Sequence, residues 1–344
     1  MRTGLRTPSA NPARPPPTQA PPHPHPQSHP HPHPHPQSQS QTQTQTQTQT
    51  QTQTHTHSQS PSQPAPALNH RPFPDTHRAM KSVFVDGILE GKSALITGGG
   101  SGIGAGIAAR LAAQGAKVTL VGRTLEKLER VAGEIKAAGG TARAASADVR
   151  DYAALEAVIA GHAEAFGGLD ILVNSAAGNF LAPASTLSAN GFRAVIDIDL
   201  CGTFNASRAA FAHLAKAGGC VVSVTATQAT IPTPLQCHAG AAKAGIEKLT
   251  RDLALEWGGS KIRVNAIAPG PIEGTEGMSR LAPGDVADGL KRRVPLGRYG
   301  TIDEIAEAVL YLVSPAAAYV TGATLLVDGG TSLIGAGPFL ELMG

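Results

Sequence analysis

Glycine dominates the run Gly98-Gly99-Gly100-Ser101-Gly102-Ile103-Gly104, and glycine takes backbone conformations closed to residues that carry a β-carbon. A bulky anion can therefore come against bare main chain. The run follows a short apolar strand, Ser93–Thr97, and leads into apolar residues at helical spacing from Ile103 through Leu111. The unpaired amides at that helix start and the helix dipole both favour a phosphate. A second strand, Lys117–Val121, follows at the spacing of a strand–helix–strand unit, which separates a dinucleotide cradle from a merely tight turn. Gly98, Gly100, Ser101, Gly102, Ile103 and Gly104 are the expected contacts to the pyrophosphate.

The ends of the later strands carry further chemistry. Many dinucleotide folds place an acid at the end of the second strand, where it binds the ribose 2′-hydroxyl and would repel a 2′-phosphate. This chain has Gly122-Arg123 there, and a guanidinium is a fixed cationic fork for phosphate. Arg123 thus favours NADP(H) over NAD(H); the alternative is a solvated arginine opening a helix that repeats charge, Glu126-Lys127 and Glu129-Arg130. In Ala147-Asp148-Val149-Arg150, Asp148 and Val149 are expected at the cofactor, Asp148 on the adenine amino group, with Arg150 free at the cleft rim. Asn174-Ser175-Ala176-Ala177-Gly178 is small enough for ribose and nicotinamide to approach, although packing against a neighbouring strand would also need small residues. Ala268-Pro269-Gly270-Pro271-Ile272 is expected to cover the nicotinamide face, with Thr275 in reach of a phosphate or the carboxamide.

Such residues need a scaffold that gathers strand ends, and alternating periodicities supply one. Strands are expected at Ser93–Thr97, Lys117–Val121, Thr141–Ala145, Asp170–Asn174, Cys220–Thr225, Ile262–Ile267 and Ala323–Val327. Helical spacing fills the gaps at Ile103–Gln114, Leu125–Ala138, Ala153–Ala165, Phe192–Ala217, Gly240–Trp257 and Ile302–Leu312. Strand and helix in turn specify an α/β fold, a doubly wound parallel sheet of seven strands in one domain over 80–344. Ligands in such folds lie beyond the carboxyl ends of the strands.

Residues 1–79 hold His-Pro alternations from Pro22 to Pro36, Gln-Thr and Gln-Ser alternations to about Gln59, and a Pro-rich join. That low-complexity tail cannot offset its chain entropy by apolar burial and is expected to stay disordered. Ten of the 13 histidines lie in it without Cys or carboxylate partners, so adventitious metal affinity is expected but no functional metal site. Met80, where the composition turns globular, is the expected natural start. The formal charge of +3 comes from the tail, for residues from 80 on carry 23 basic and 24 acidic side chains. Neither a nucleic-acid surface nor an anionic-membrane surface is implied. No apolar run reaches the roughly 18 residues of a membrane span, and no apolar signal core opens the chain, which leaves organelle import as the weaker alternative to none. Cys201, Cys220 and Cys237 lack metal-ligand spacing and suit a reducing compartment.

Taken together, Thr97–Gly104, the Asp148 block, the block opening at Asn174, Lys243 and the Pro269-Gly270 block resemble the short-chain dehydrogenase/reductase family from about Leu89 to Gly330. The resemblance implies a Rossmann sheet, a nicotinamide cofactor and a homo-oligomer, usually a tetramer built on two long helices. Common members carry a tyrosine four residues before a lysine, whose ammonium lowers the phenol's pKa so that it can exchange a proton with an alcohol. A serine after the fifth strand assists. Here Lys243 is present, but Ala239 stands four residues before it, and Ala226, between Thr225 and Thr227, stands where the serine would fall. The residues four beyond Tyr152, Tyr299, Tyr311 and Tyr319 are Glu156, Asp303, Pro315 and Ala323, so no other tyrosine repairs the loss. Where the family usually has an asparagine, this chain has Asp199.

Without the phenol, hydride transfer still works if the substrate accepts hydride on carbon. A conjugated 2,4-dienoyl thioester can take hydride at C5 and a proton at C2 to give a 3-enoyl product, the proton coming from water held between Asp199 and Lys243. The dienolate oxygen then needs donors rather than a strong acid. Asn174–Phe180, Asp197–Asp199, Thr225–Thr227, His238–Lys243 and Pro269–Gly277 are similar to segments of the peroxisomal-type 2,4-dienoyl-CoA reductases. That resemblance implies Asp199 and Lys243 as catalytic pair, Lys243 also holding the cofactor ribose, NADPH as donor, and a place in unsaturated fatty acid β-oxidation. It also implies acyl-CoA contacts from Arg150, Phe180, Ser188, Asn190 and Arg280, the arginines suiting the phosphates of coenzyme A. The final residues, Glu341-Leu342-Met343-Gly344, do not read as a peroxisomal import tripeptide, so a cytoplasmic location is expected. Two alternatives stay open: a reductase of another enoyl or carbonyl substrate with His238 or a threonine as acid, and a catalytically silent NADP(H)-binding sensor. The plainer readings of His238 and Cys237 are a packed loop histidine and a small buried side chain.

Overall fold

The computed structural model describes residues 84–281 and 285–336; the tail over 1–79 and the chain end over 341–344 lie outside them. Its centre is a seven-stranded parallel sheet: β1 (Ser93–Thr97), β2 (Lys117–Gly122), β3 (Thr141–Ser146), β4 (Ile171–Asn174), β5 (Cys220–Val224), β6 (Arg263–Pro269) and β7 (Thr324–Val327). The strand order is β3-β2-β1-β4-β5-β6-β7. Successive side chains of a strand point to opposite faces, and here both faces are covered. Ala94 and Ile96 of β1, with Val118, Leu120, Val173 and Val222, face one apolar cluster. Leu95, Leu172 and Val221 face the other. The first cluster is closed by α1 (Gly102–Ala113), α2 (Leu125–Ala137) and α9 (Ile302–Val313), the second by α3 (Tyr152–Phe166), α5 (Gly202–Ala217) and α6 (Cys237–Trp257).

Local sequence fixes several helix starts. Asp151 caps α3 by accepting from the Ala154 amide, and Thr301 with Glu304 forms a capping box on α9. Ser188 caps α4 (Ala189–Ile196) by accepting from the Gly191 amide at 3.0 Å. The strand order reverses between β1 and β4, which opens a crevice beyond their carboxyl ends. Thr97 Oγ1 ties those two ends together, accepting from the Ser175 amide at 3.1 Å and the Ala176 amide at 3.3 Å.

Two helices differ from expectation where it matters. The helix expected over Phe192–Ala217 starts earlier and is broken at Asp197–Cys201 by a π turn that separates α4 from α5. The helix expected from Gly240 starts at Cys237, so His238 lies in its first turn and not in a loop. Two short helices, α7 (Glu276–Leu281) and α8 (Asp285–Arg293), arise where none was expected. No helix among the described residues is long and apolar enough to cross a membrane.

Candidate active site

Asp199 occupies the middle of the π turn. Such a turn inserts one residue into the helical register and so re-aims the side chain it carries. The Asp199 carbonyl accepts from Thr203 Oγ1 at 2.6 Å. Its carboxylate is 1% exposed, with Oδ1 accepting from the Gly178 amide at 2.7 Å and Oδ2 lying 3.1 Å from Lys243 Nζ. Lys243 reaches it from the second turn of α6 and also donates to the Val224 carbonyl at 3.2 Å. Thr225 Oγ1, just past β5, donates to the main-chain carbonyl of Lys243 at 3.1 Å. Four segments therefore converge on one buried ion pair, and a Lys ammonium with three donors keeps one for a further group.

The loop after β4 grips the start of α6 residue by residue. Asn179 Nδ2 donates to Gln236 Oε1 at 2.8 Å, the Phe180 ring lies 4.5 Å from the His238 ring, and the Ala182 amide donates to the Leu235 carbonyl at 3.0 Å. Gln236 and the Val224 carbonyl were not singled out from sequence, and Gly178 was named only as part of the small segment beside the cofactor, because each acts through main chain or through a contact far away in the chain. Glu247, one turn beyond Lys243, is also buried, and burial raises its carboxyl. Cys237, expected to be buried, is exposed.

The glycine turn fits a dinucleotide. Gly98 has φ +69°, and a β-carbon on it would stand 2.6 Å from the Ser175 carbonyl oxygen. Gly104 packs so closely on the Gly98 carbonyl that a side chain there would collide with it. Ser101 is exposed and makes no side-chain cap bond, so the first amides of α1, at Gly102 and Ile103, stay open to an anion. Gly100 completes the same turn. Arg123 is exposed just past β2, and its guanidinium makes no hydrogen bond or ion pair among the described residues. These donors suit the phosphates of a nicotinamide dinucleotide.

Other expected contacts are placed differently. Arg150 is not free at the rim: its Nε and Nη2 donate to Asp148 Oδ1 and Oδ2 at 3.0 and 2.6 Å. That pairing holds the Asp148 carboxyl down at about 2 and leaves Oδ2 with a lone pair for a further donor. Val149 turns its side chain into the core, and its carbonyl accepts from Asn205 Nδ2 at 3.0 Å. Asn174 donates through Nδ2 to Ser207 and Ser223, while its Oδ1 is buried without a partner. Pro269 ends β6 and Gly270 follows it, Ile272 is buried and bridges to Gly300, and Thr275 Oγ1 donates to the Ile272 carbonyl at 2.9 Å, so its proton is used locally. Phe180 and Asn190 are exposed, and the Ser188 hydroxyl is engaged as the α4 cap. Arg280 lies in α7, but its side chain is outside the described residues. No group of His, Cys, Asp and Glu that could hold a metal is present among the described residues.

A family model described as enoyl-(acyl carrier protein) reductase matches residues 98–332. The chain is 46% identical over 252 residues, covering 72% of it and 86% of the relative, to the peroxisomal 2,4-dienoyl-CoA reductase ((3E)-enoyl-CoA-producing) of Rattus norvegicus. It is 39% identical over 253 residues, 73% of this chain and 97% of the relative, to D-threitol dehydrogenase of Mycolicibacterium smegmatis. Among solved structures, the citronellol catabolism dehydrogenase AtuB of Pseudomonas aeruginosa PAO1 shares 39% identity with a TM-score of 0.66, covering 74% of this chain and 100% of that one.

Proposed function

The chain belongs to the short-chain dehydrogenase/reductase family of nicotinamide-dependent oxidoreductases, and we propose that within it this protein reduces 2,4-dienoyl-CoA thioesters to 3-enoyl-CoA with NADPH, in the β-oxidation of unsaturated acyl chains. One observation carries the reading: a buried Asp199–Lys243 pair, 3.1 Å apart, stands in a site whose tyrosine position is Ala239.

Bound NADPH supplies the hydride, which a conjugated dienoyl thioester accepts at C5. The remaining task falls to the chain: moving a proton to C2 and bearing charge at the thioester oxygen. Asp199 and Lys243 are suited to hold a water between them: the carboxylate orients it, and as the water gives a proton to C2 it takes one back from the Lys243 ammonium. Lys243 is also assigned to the cofactor ribose, which requires its ammonium to release the Val224 carbonyl so that a second donor is free. Arg123, with its unengaged guanidinium and no acid at that strand end, supports the 2′-phosphate of NADPH. Coenzyme A phosphates are assigned to Arg150 and Arg280, which requires Arg150 to leave Asp148 when substrate binds. Exposed Phe204 on α5 and Leu255 on α6 support a homotetramer built on those helices, testable by light scattering.

The test follows NADPH absorbance with 2,4-hexadienoyl-CoA against simple ketones and polyols. Oxidation confined to the dienoyl thioester is expected. The D-threitol dehydrogenase relative motivates a second reading, polyol oxidation, and NAD(P)⁺ reduction by threitol with no dienoyl-CoA turnover would establish it.

A further inference from the structure

His238 is 0% exposed, yet neither of its ring nitrogens has a partner. A neutral imidazole carries one donor and one acceptor, and each buried group left unpaired costs about 1–3 kcal/mol. Among the described residues the other fully buried histidine, His162, at least holds Thr119 Oγ1 at 2.7 Å. The polar atoms of His238 are thus kept ready at a cost. The Phe180 ring lies against the imidazole, with ring centroids 4.5 Å apart, and is itself 41% exposed. The loop that carries Phe180 is anchored through Gly178 and Asn179, so the ring can swing aside without those bonds breaking.

The position is close to the chemistry. Gly178, two residues before Phe180, donates to Asp199. His238 lies in the first turn of α6, the helix that carries Lys243 in its second turn. At the positions where common family members carry hydroxyls, Ala226 and Ala239 offer none. A dienolate formed by hydride arrival at C5 puts negative charge on the thioester oxygen, and preorganised donors there supply a large share of catalysis.

We propose that the imidazole N–H of His238 is the hydrogen-bond donor to the acyl thioester carbonyl, uncovered when the substrate displaces the Phe180 ring. This rests on the dienoyl-CoA reading above. His238→Phe keeps ring volume and stacking but removes the donor. Turnover should fall about 100-fold or more, while dinucleotide affinity stays within twofold and Tm holds or rises, because the unpaired groups are gone. A second readout needs no turnover: with NADP⁺, the ultraviolet band of bound 2,4-hexadienoyl-CoA should be red-shifted by carbonyl polarisation in the native protein and in Phe180→Ala, and unshifted in His238→Phe. In a third, diethyl pyrocarbonate should modify His238 in Phe180→Ala but not in the native protein, with hexanoyl-CoA protecting it.

Retained turnover or a retained red shift in His238→Phe would overturn the proposal. So would a joint loss of Tm and dinucleotide binding, which marks a packing role. Should His238→Phe not fold, absence of protection by hexanoyl-CoA in Phe180→Ala would overturn it instead. If Asp199→Asn is inactive while His238→Phe is active, only the histidine's role falls; if both are active, the reading of the ion pair falls as well.

Discussion

Replacing Asp199 with asparagine isolates the charge of the buried pair. The amide oxygen can still accept from the Gly178 amide, so the loop after β4 keeps its anchor. Lys243 is left with the Val224 carbonyl at 3.2 Å and no counter-charge. Removing one partner of a buried pair costs about 3–5 kcal/mol. The lower end applies here, because the Lys243 side chain keeps 11% exposure and one acceptor. In a domain of this size each kcal/mol moves Tm by roughly 2–4 °C, so a fall of about 6–12 °C is expected by differential scanning fluorimetry. Proton delivery to C2 is lost with the carboxylate, and turnover of 2,4-hexadienoyl-CoA should fall by about 10²–10⁴. NADPH affinity, measured by fluorescence quenching, should stay within threefold. A Tm within 2 °C of native and a rate within threefold would refute the reasoning, for the pair would then be neither strongly coupled nor catalytic.

Three other outcomes follow from the same geometry. Arg123→Leu should weaken NADPH by about 10- to 100-fold, the loss of one charge-assisted phosphate contact, and leave NADH affinity unchanged in parallel titrations. Gly98→Ala forces a β-carbon to 2.6 Å from the Ser175 carbonyl oxygen at φ +69°, and should abolish dinucleotide binding or soluble folding, read by titration and circular dichroism. Burial, reinforced by Arg143, lowers the His162 imidazole from 6.5 to about 4. The fold therefore favours neutral His162, and its contribution is complete above pH 6.5 and lost as pH falls towards 4, about 3 kcal/mol in all. Urea midpoints at pH 7 and pH 4.5 should show that loss, and His162→Leu should flatten it.

The parts of the fold written in local periodicity were legible. Alternating faces such as Ala94/Ile96 against Leu95 and the glycine turn after Thr97 specify strand, turn and helix without reference to distant residues. The π turn was not legible, because side-chain periodicity does not encode a slip in backbone pairing. Yet that slip carries Asp199. The Asp148–Arg150 pairing was missed for another reason: residues two apart face each other only when the loop curls, as this one does past β3. The contact of His238 with Phe180, 58 positions earlier in the chain, has no local signal.

The direct test is the fate of hydrogen during turnover. Reduction of 2,4-hexadienoyl-CoA in deuterated water by NADPH, with the product read by NMR, should give 3-hexenoyl-CoA bearing one solvent deuterium at C2 and cofactor hydrogen at C5. A 2-enoyl product, deuterium at another carbon, or consumption of NADPH only with carbonyl substrates would contradict it.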